Sequence, residues 1–512
     1  MVSTNPDVRP GSSTALKKDA IGVVGILFFV LSAQAPLTSV VGVGAVAIML
    51  GNGPGFPSAY LVVGAVMLVF AVGFTTITRH VSNHGGFSVL VDAGLGRRAG
   101  VGAAFLALLS YSVIQAALYG LFGAATSGLV AAYVGISIPW WALSLAAVVF
   151  VLLLGARNVE LGARVLAVLV AGEFLILLLF ALVVIFGGHT AEGIDVAASF
   201  SPAAVVQGAP GIAIMFAVAC MFGFESTTIY ASEAKNPART VPRATYAAVV
   251  IIAGFLALAI WSLILYYGPS QVQAAAIAAI ESGDSALFVT DALDDILGPW
   301  AGATAGVLLL TSLLAALLAF HNVINRYLHA SSARGFLPVG LQRTNRHHAP
   351  ATAGRVQTLL AVLVIAPFAL LGLDPIVTLF GWFSGLAVAA LIALYVVTSL
   401  AVIVYFRRTR ADRRLWNTLV APVLAVVLLL GQLGLIVSNF SVLSGGDVLT
   451  SVLLLGAVPT VFVAGWIVAM RTETAAASVR TGLAPTETVR TVSARQATRA
   501  VRRQEPGPDD LP

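Results

Sequence analysis

The stretch GIAIMFAVACMFGFESTTIYASEAKNPARTVPR, residues 211–243, is an apolar segment that a glycine and an acid interrupt and that a charged, proline-containing run follows. Glu225 falls inside the apolar part, where a carboxylate costs about 2.5–3.5 kcal/mol on insertion scales and therefore faces a cavity or a partner. A glycine such as Gly223 makes a helix about 1 kcal/mol less stable than an alanine at the same position does. The stretch therefore predicts a membrane helix that is discontinuous beside a site, an arrangement typical of transporters.

The composition of the whole chain agrees with a membrane protein. Of its 512 residues, 59% are hydrophobic and only 10% are charged, whereas soluble domains carry about 25% charged residues. The single cysteine, Cys220, excludes a disulfide framework and a thiolate metal cluster. We therefore expect an all-α polytopic membrane protein without a metal or a cofactor. Because residues 1–18 are polar and the first apolar run is too long for a signal sequence, we expect no cleavable signal peptide.

Apolar runs of about 18 or more residues predict twelve transmembrane helices. They lie near residues 20–50, 58–78, 100–133, 138–155, 163–187, 209–231, 244–267, 297–327, 356–373, 376–406, 417–438 and 449–470. The third and eighth runs are long, which implies tilt or extension beyond the bilayer.

The positions of the basic residues predict the orientation. If the N-terminus is cytoplasmic, all 28 Lys and Arg residues fall in segments on the cytoplasmic side. The charged residues of the outer connections are all acids, such as Glu192, Glu281 and Asp284. By the positive-inside rule, both termini lie in the cytoplasm of a plasma membrane, which we expect to be bacterial. The net charge of +6 thus has a topological origin, and we expect no nucleic-acid partner.

The same pattern predicts four regions along the chain. Residues 1–18 form a cytoplasmic N-terminal tail, 19–406 a transport core of ten helices, and 407–470 two further helices. Residues 471–512 lack apolar periodicity, so we expect a disordered cytoplasmic tail. The Ala-rich outer loop at 268–296 is expected to contain a short surface helix.

The first span contains a second interruption. Ser32, Gln34, Pro36 and Thr38 lie at its middle, and proline removes a backbone donor and clashes with the preceding turn. Alone, this pattern fits an ordinary proline kink. A second interrupted helix five spans later instead indicates an inverted-repeat transporter, in which corresponding helices of the two halves are broken.

Several motifs resemble the amino-acid permeases of the amino acid–polyamine–organocation superfamily, over roughly residues 15–470. GFE at 223–225, EAKNP at 233–237 and RTVPR at 239–243 are similar to the family's sixth helix and the loop after it. SNHGGF at 82–87 with GLG at 94–96 is similar to the loop between its second and third helices. NR at 325–326 with ARGFLP at 333–338 is similar to the end of its eighth helix.

The resemblance implies a five-plus-five inverted repeat with helices 1 and 6 broken, followed by two extra helices. It also implies that backbone groups at the breaks bind the amino and carboxyl groups of a substrate. The corresponding positions are Ala33, Gln34, Ala35 and Pro36 in the first helix and Phe222, Gly223 and Phe224 in the sixth. Many relatives have Gly-Ser-Gly where this chain has Ala33-Gln34-Ala35, so carboxylate binding is expected to differ in detail.

Side chains near the breaks are expected to set specificity. Phe320 corresponds to a position where relatives often have an aromatic residue. Gln115 shares a face of the third span with Tyr111 and Tyr119, at spacing i, i+4 and i+8. Helix packing is the alternative role for these two tyrosines. His321 and Asn322 of the eighth span either line an inner pathway or pack.

Two acids are candidates for coupling transport to an ion gradient. Glu225 lies at the sixth-helix break, and Glu173 lies in the fifth span, where many proton-coupled and cation-independent relatives have a lysine. Because apolar surroundings disfavour a charged carboxylate, Glu173 is able to take up and release a proton. A neutral hydrogen-bonded acid with a structural role is the alternative.

We therefore expect a secondary active transporter that moves amino acids by alternating access, as a proton symporter. The alternatives are a carrier of polyamines or other organic amines, or an exchanger of two such solutes. A channel is disfavoured because two broken helices around one site are not a continuous pore. An enzyme is disfavoured because the sequence shows no nucleophile with a neighbouring base.

Overall fold

The computed structural model describes residues 22–81, 86–157, 163–225, 227, 234–345, 347 and 349–482. Within these ranges it gives every side chain except those at 28, 29, 32, 33, 163–167, 237 and 473–482. Three predicted features lie outside the described residues: the N-terminal tail at 1–18, the C-terminal end at 483–512, and the motif residues 82–85 and 233.

The regular elements of the described chain are helices, as predicted. They are α1 Val23–Gln34, α2 Gly44–Leu50, α3 Phe56–Ile77, α4 Phe87–Leu95, α5 Arg97–Val134, α6 Trp140–Ala156, α7 Ala163–Phe186, α8 Ala197–Phe200, α9 Pro202–Val206, α10 Pro210–Ala219, α11 Pro237–Tyr267, α12 Val272–Glu281, α13 Leu287–Leu297, α14 Trp300–Ala333, α15 Ala351–Leu370, α16 Gly381–Thr409, α17 Ala421–Leu443 and α18 Val448–Gly482. Short π-helical turns at Thr38–Gly42, Pro375–Phe380 and Trp416–Val420 precede α2, α16 and α17.

Nine helices of the described chain are long and apolar enough to cross a membrane. Three of the predicted spans are not among them. Trp140–Ala156 is slightly short, the first span is divided, and Pro210–Ala219 ends early. The chain is therefore a multi-pass helical membrane protein, and the count of twelve spans stays a prediction.

The two spans predicted to be long are α5 and α14, with 38 and 34 residues, and α18 is comparably long with 35. At about 1.5 Å per residue, the lengths of α5 and α14 are roughly 57 and 51 Å, against about 30 Å for the hydrocarbon core of a bilayer. Two helices, α12 and α13, occupy the 268–296 loop, which was predicted to lie outside and to contain one. α18 continues to Gly482, past the predicted boundary at residue 470.

α5 is the central helix of the bundle, and α4, α6, α14, α16 and α18 pack around it. Elsewhere in the bundle, glycines allow two helix backbones to approach each other closely. A Cβ on Gly211 of α10 would lie 1.9 Å from the carbonyl oxygen of Leu435 on α17, and one on Gly94 of α4 would lie 2.2 Å from that of Ala401 on α16. Since helices in lipid associate through van der Waals packing rather than through a hydrophobic driving force, such small residues fix where α4 and α10 lie.

Two of the family-like motifs meet at the end of α14. The Arg334 guanidinium lies 2.9 Å from the Asp92 carboxylate of α4 and donates to the Ser88 hydroxyl at 3.1 Å. The guanidinium carbons of Arg334 and Arg97 each lie 5.0 Å from the centre of the Phe336 ring. The basic residues at this end of the bundle therefore pair with an acid and an aromatic ring.

The predicted orientation is tested by two cysteines introduced on a Cys220→Ser background. Ser282 lies in the outer loop and Gly340 after α14, and both are exposed. If the basic residues set the topology, Ser282→Cys reacts with an impermeant thiol reagent in intact cells, whereas Gly340→Cys reacts only after the membrane is permeabilised. The reverse pattern would overturn the assignment of both termini to the cytoplasm.

Candidate functional site

The first span is interrupted at Ala35. α1 ends at Gln34, Ala35 has a left-handed backbone with φ of +53°, and the chain then forms the π-helical turn Thr38–Gly42. A left-handed conformation costs a non-glycine residue about 1–2 kcal/mol. Pro36 contributes no N–H of its own. The backbone groups around Ala35 therefore need partners from outside their helix.

The sixth span is interrupted after Ala219, where α10 ends. Gly223 follows in a turn with φ of +101°, a conformation that favours glycine. The predicted continuation through Ser226 and residues 228–233 lies outside the described residues. α11 begins after Asn236, which also has a positive φ of +48°.

The Gln34 side chain joins the two interruptions. Its amide nitrogen donates to the carbonyl oxygen of Cys220 at 3.0 Å and to the Ser39 hydroxyl at 2.8 Å. Gln34 is 7% exposed. A single buried amide therefore contacts the end of α10 and the turn that follows Ala35, and so holds the two interruptions side by side.

Glu173 of α7 contacts the backbone just after the first interruption. Its carboxylate accepts a hydrogen bond at 3.0 Å from the backbone N–H of Leu37, and Ser312 of α14 lies beside the same carboxyl group. Glu173 is 1% exposed. The acid thus satisfies a donor that a continuous helix would have satisfied internally.

Glu225 is held by two tyrosines and by its own turn. The Tyr111 hydroxyl donates to one carboxylate oxygen at 3.0 Å. The other oxygen accepts from the Tyr395 hydroxyl at 3.2 Å and from the backbone N–H of Gly223 at 3.1 Å. This buried carboxylate therefore connects the sixth-span interruption to α5 and α16.

A cavity of about 50 Å³ lies between the two interruptions. Its lining is mostly apolar, with a few polar side chains, and consists of Gln34, Ala35, Thr38, Ser39, Val43, Ile114, Leu118, Ala219, Cys220, Phe222, Ala316, Phe320 and Phe380. The Thr38 hydroxyl is buried and has no hydrogen-bond partner among the described residues. The cavity is therefore compact and mostly apolar, and Thr38 is one of the few polar residues in its lining.

Of the predicted binding residues, Gln34, Ala35, Phe222 and Phe320 line this cavity. Pro36, Gly223, Phe224 and Gln115 are not part of its lining. The side chain of Ala33 lies outside the described residues.

Gln115 and Phe224 have other contacts. Gln115 donates to the carbonyl oxygen of Leu317 at 2.9 Å and accepts from Gln357 at 2.6 Å. The Phe224 ring packs against Phe70 and Tyr395. These two residues therefore support the walls of the site.

His321, Asn322 and Tyr119, for which packing was one of two predicted roles, have packing contacts. His321 is buried against Gly155 of α6 and Gly354 of α15, with Asn322 also near Gly155. Tyr119 is buried and lies outside the cavity lining. Neither His321 nor Tyr119 contacts the central cavity.

Three residues of the site, Cys220, Phe380 and Tyr395, are not among those predicted from the sequence. Cys220 lies in the quoted stretch, so its position beside the interruption was a usable signal. Tyr395 contacts Glu225 from 170 positions further along the chain, and no local pattern marks such a pair. Thr38 was noted only as one of several polar residues in the first span.

A second, wider pocket of about 300 Å³, called the outer pocket below, opens at the 268–296 loop, which is predicted to lie outside. Asp284, Asp291 and Asp294 line it together with Tyr133. Burial raises the pKa of Asp284, and burial and repulsion from Asp294 raise the pKa of Asp291. The described residues that line this pocket include no Lys or Arg, so its charge is negative.

Apolar helices of membrane-crossing length around an internal cavity define a multi-pass membrane protein with a cavity inside its bundle. A family model described as "Amino acid permease" matches residues 25–445. The chain therefore belongs to the amino acid permease family, as the motif resemblance predicted. This is a family of amino-acid transporters in the amino acid–polyamine–organocation superfamily, and not a family of enzymes. No curated protein matches the chain significantly.

The contact between Tyr395 and Glu225 leads to a prediction. Tyr395→Phe removes one donor to a buried carboxylate, which typically costs about 1–3 kcal/mol. We expect it to lower the melting temperature and to slow amino-acid exchange in proteoliposomes at least fivefold. Tyr405→Phe, on the same helix but away from Glu225, is the control and should change neither quantity. Parent-like exchange by Tyr395→Phe would show that this hydrogen bond has no part in transport.

Proposed function

We propose that the protein is a secondary active transporter that moves amino acids across the plasma membrane by alternating access, as a proton symporter. The observation that carries the proposal is the hydrogen bond from the Leu37 N–H to the Glu173 carboxylate. It places a titratable group directly on the backbone of an interrupted helix.

The contact suggests how a proton would be coupled to movement. A carboxylate accepts a hydrogen bond from an N–H more strongly than a neutral carboxylic acid does. Protonation of Glu173 therefore weakens its hold on Leu37, and movement of this segment changes the proton affinity of Glu173. Such coupling is reciprocal by thermodynamic necessity.

The substrate is proposed to bind between the two interruptions. Backbone groups of Ala33–Pro36 and Phe222–Phe224 would contact its amino and carboxyl groups, since freed N–H groups bind a carboxylate and freed carbonyls bind an ammonium. Phe222 and Phe320 line the cavity. Gln115 supports the wall from α5 through its contact with Leu317 of α14.

The architecture proposed for this cycle is the one expected from the sequence. It has twelve spans with both termini in the cytoplasm, and a five-plus-five inverted repeat whose first and sixth helices are broken. Two features support it: α1 and α10 each end near the cavity, and the Gln34 amide connects their ends. An amine carrier and an exchanger share this architecture, and the experiments below separate them from an amino-acid symporter.

Glu173→Gln tests the coupling, because it removes the charge and keeps nearly the same shape. We expect this variant to exchange amino acid across a proteoliposome membrane at a rate close to that of the parent. It should no longer accumulate amino acid when an inward proton gradient is imposed, since it has no group to protonate. The readouts are counterflow for exchange and gradient-driven uptake for accumulation.

Glu192→Gln in the outer loop is a matched control that should leave both activities intact. Accumulation by Glu173→Gln with the pH dependence of the parent would contradict the proposal. In that case Glu173 is structural, and an exchanger without proton coupling becomes the better description.

A further inference from the structure

We infer that the transported amino acid has a small, uncharged and apolar side chain. The inference rests on the proposed function, because it assumes that the substrate occupies the cavity between the two interruptions. It is carried by the residues that line this cavity, by its volume, and by the Thr38 hydroxyl.

The charge of the substrate follows from the lining. The described residues that line the cavity include no Asp, Glu, Lys, Arg or His. The two nearby acids are engaged elsewhere, Glu173 with the Leu37 N–H and Glu225 with two tyrosines and the Gly223 N–H. A buried charge is costly unless it is paired, so a substrate with an ionised side chain would lack a partner here.

The size of the substrate follows from the volume. The cavity of about 50 Å³ is several-fold smaller than the roughly 300–1,000 Å³ of typical pockets for larger ligands. Aromatic rings of Phe222, Phe320 and Phe380 limit it, and Ala219 and Ala316 provide the space that remains. A linear polyamine or a long side chain does not fit this chamber without displacing these rings.

The polar end of the substrate is expected at Thr38. Thr38 belongs to the lining of the cavity, and its buried hydroxyl has no hydrogen-bond partner among the described residues. The neighbouring amide nitrogen of Gln34 is already engaged, since it donates to both the Ser39 hydroxyl and the Cys220 carbonyl. Thr38 is therefore the side chain that hydrogen-bonds the amino or carboxyl group of a bound amino acid.

The outer pocket has the opposite character. Its three aspartates would attract a cation, and a carrier of cationic solutes would use them to collect its substrate. The central cavity determines which solute crosses. The two pockets favour different solutes, since the outer pocket favours a cation and the central cavity an uncharged side chain. The test therefore includes cationic solutes.

The first experiment measures uptake of labelled alanine, valine, lysine, glutamate and putrescine into proteoliposomes that contain the purified protein. We expect saturable uptake of alanine or valine and at least tenfold slower uptake of the other three. Uptake of lysine or glutamate without alanine or valine would overturn this inference and leave amino-acid transport intact. Uptake of putrescine alone, or of no amino acid by cooperatively melting protein, would overturn the proposed function as well.

The second experiment tests the cavity itself. Ala316→Val reduces the space, so the KM for valine should rise at least fivefold while that for alanine changes less than twofold. Ala319→Val, at an exposed position of the same helix, should change neither. An equal effect of Ala316→Val on both substrates would contradict selection by size in this cavity.

Thr38 is tested by a pair of substitutions. Thr38→Val keeps the shape and removes the hydroxyl, and we expect it to raise the KM for alanine at least tenfold. Thr38→Ser keeps the hydroxyl and should restore the KM to within threefold of the parent value. Equal KM values for Thr38→Val and the parent would exclude a direct contact between Thr38 and the substrate.

Discussion

The structure depends on satisfying the backbone at two helix ends inside the bundle, where α1 ends at Gln34 and α10 ends at Ala219. In hydrocarbon, an unsatisfied backbone N–H or C=O group costs several kcal/mol, so an interruption persists only where protein or a cavity compensates it. The Gln34 amide satisfies the Cys220 carbonyl at the second interruption, and the Glu173 carboxylate satisfies the Leu37 N–H at the first. The same Gln34 amide also donates to the Ser39 hydroxyl, which lies just after the first interruption. Replacing the glycine-rich sequence of many relatives by Ala33-Gln34-Ala35 thus brings a side chain that connects the two segments.

The two buried acids, Glu173 and Glu225, each accept a hydrogen bond from a backbone N–H at an interruption, but their other partners differ. Glu173 contacts the first interruption from α7 through one backbone hydrogen bond. Glu225 belongs to the second interruption, and Tyr111 and Tyr395 hold it from α5 and α16. Glu173 therefore has one backbone partner and the Ser312 hydroxyl of α14, whereas Glu225 has two tyrosines and the Gly223 N–H. This difference is why we assign proton coupling to Glu173 and the connection between helices to Glu225.

Much of this arrangement is predictable from the sequence, because the relevant signals are local. Apolar runs located most of the helices to within several residues, but α10 ends at Ala219 instead of near residue 231, and α18 continues to Gly482 instead of ending near residue 470. Gly223 and Ala35, which precedes Pro36, both have positive φ values. Because Glu173 and Glu225 lie within apolar spans, each of them was expected to have polar partners. The contacts of the site are less predictable, because they join distant segments such as Tyr395 and Glu225.

Gln115 shows a second limit of sequence patterns. Residues four apart on a helix are offset by about 40°, since each residue turns about 100°. Tyr111 contacts Glu225, whereas Gln115, one turn further, contacts Leu317 and Gln357 instead. One predicted helix face therefore meets two different neighbours, and only the packing shows which residues reach the site.

The most direct test of the central claim uses Cys220, the only cysteine in the sequence, which lines the cavity between the two interruptions. The measurement is the rate at which N-ethylmaleimide alkylates the purified protein, followed by mass spectrometry, with and without an amino acid that the protein transports. If substrate binds in this cavity, a saturating amount should slow alkylation at least fivefold, with half the effect near its KM, and an amino acid that is not transported should have no effect. An unchanged or faster rate under saturating substrate would contradict a binding site between the two interruptions.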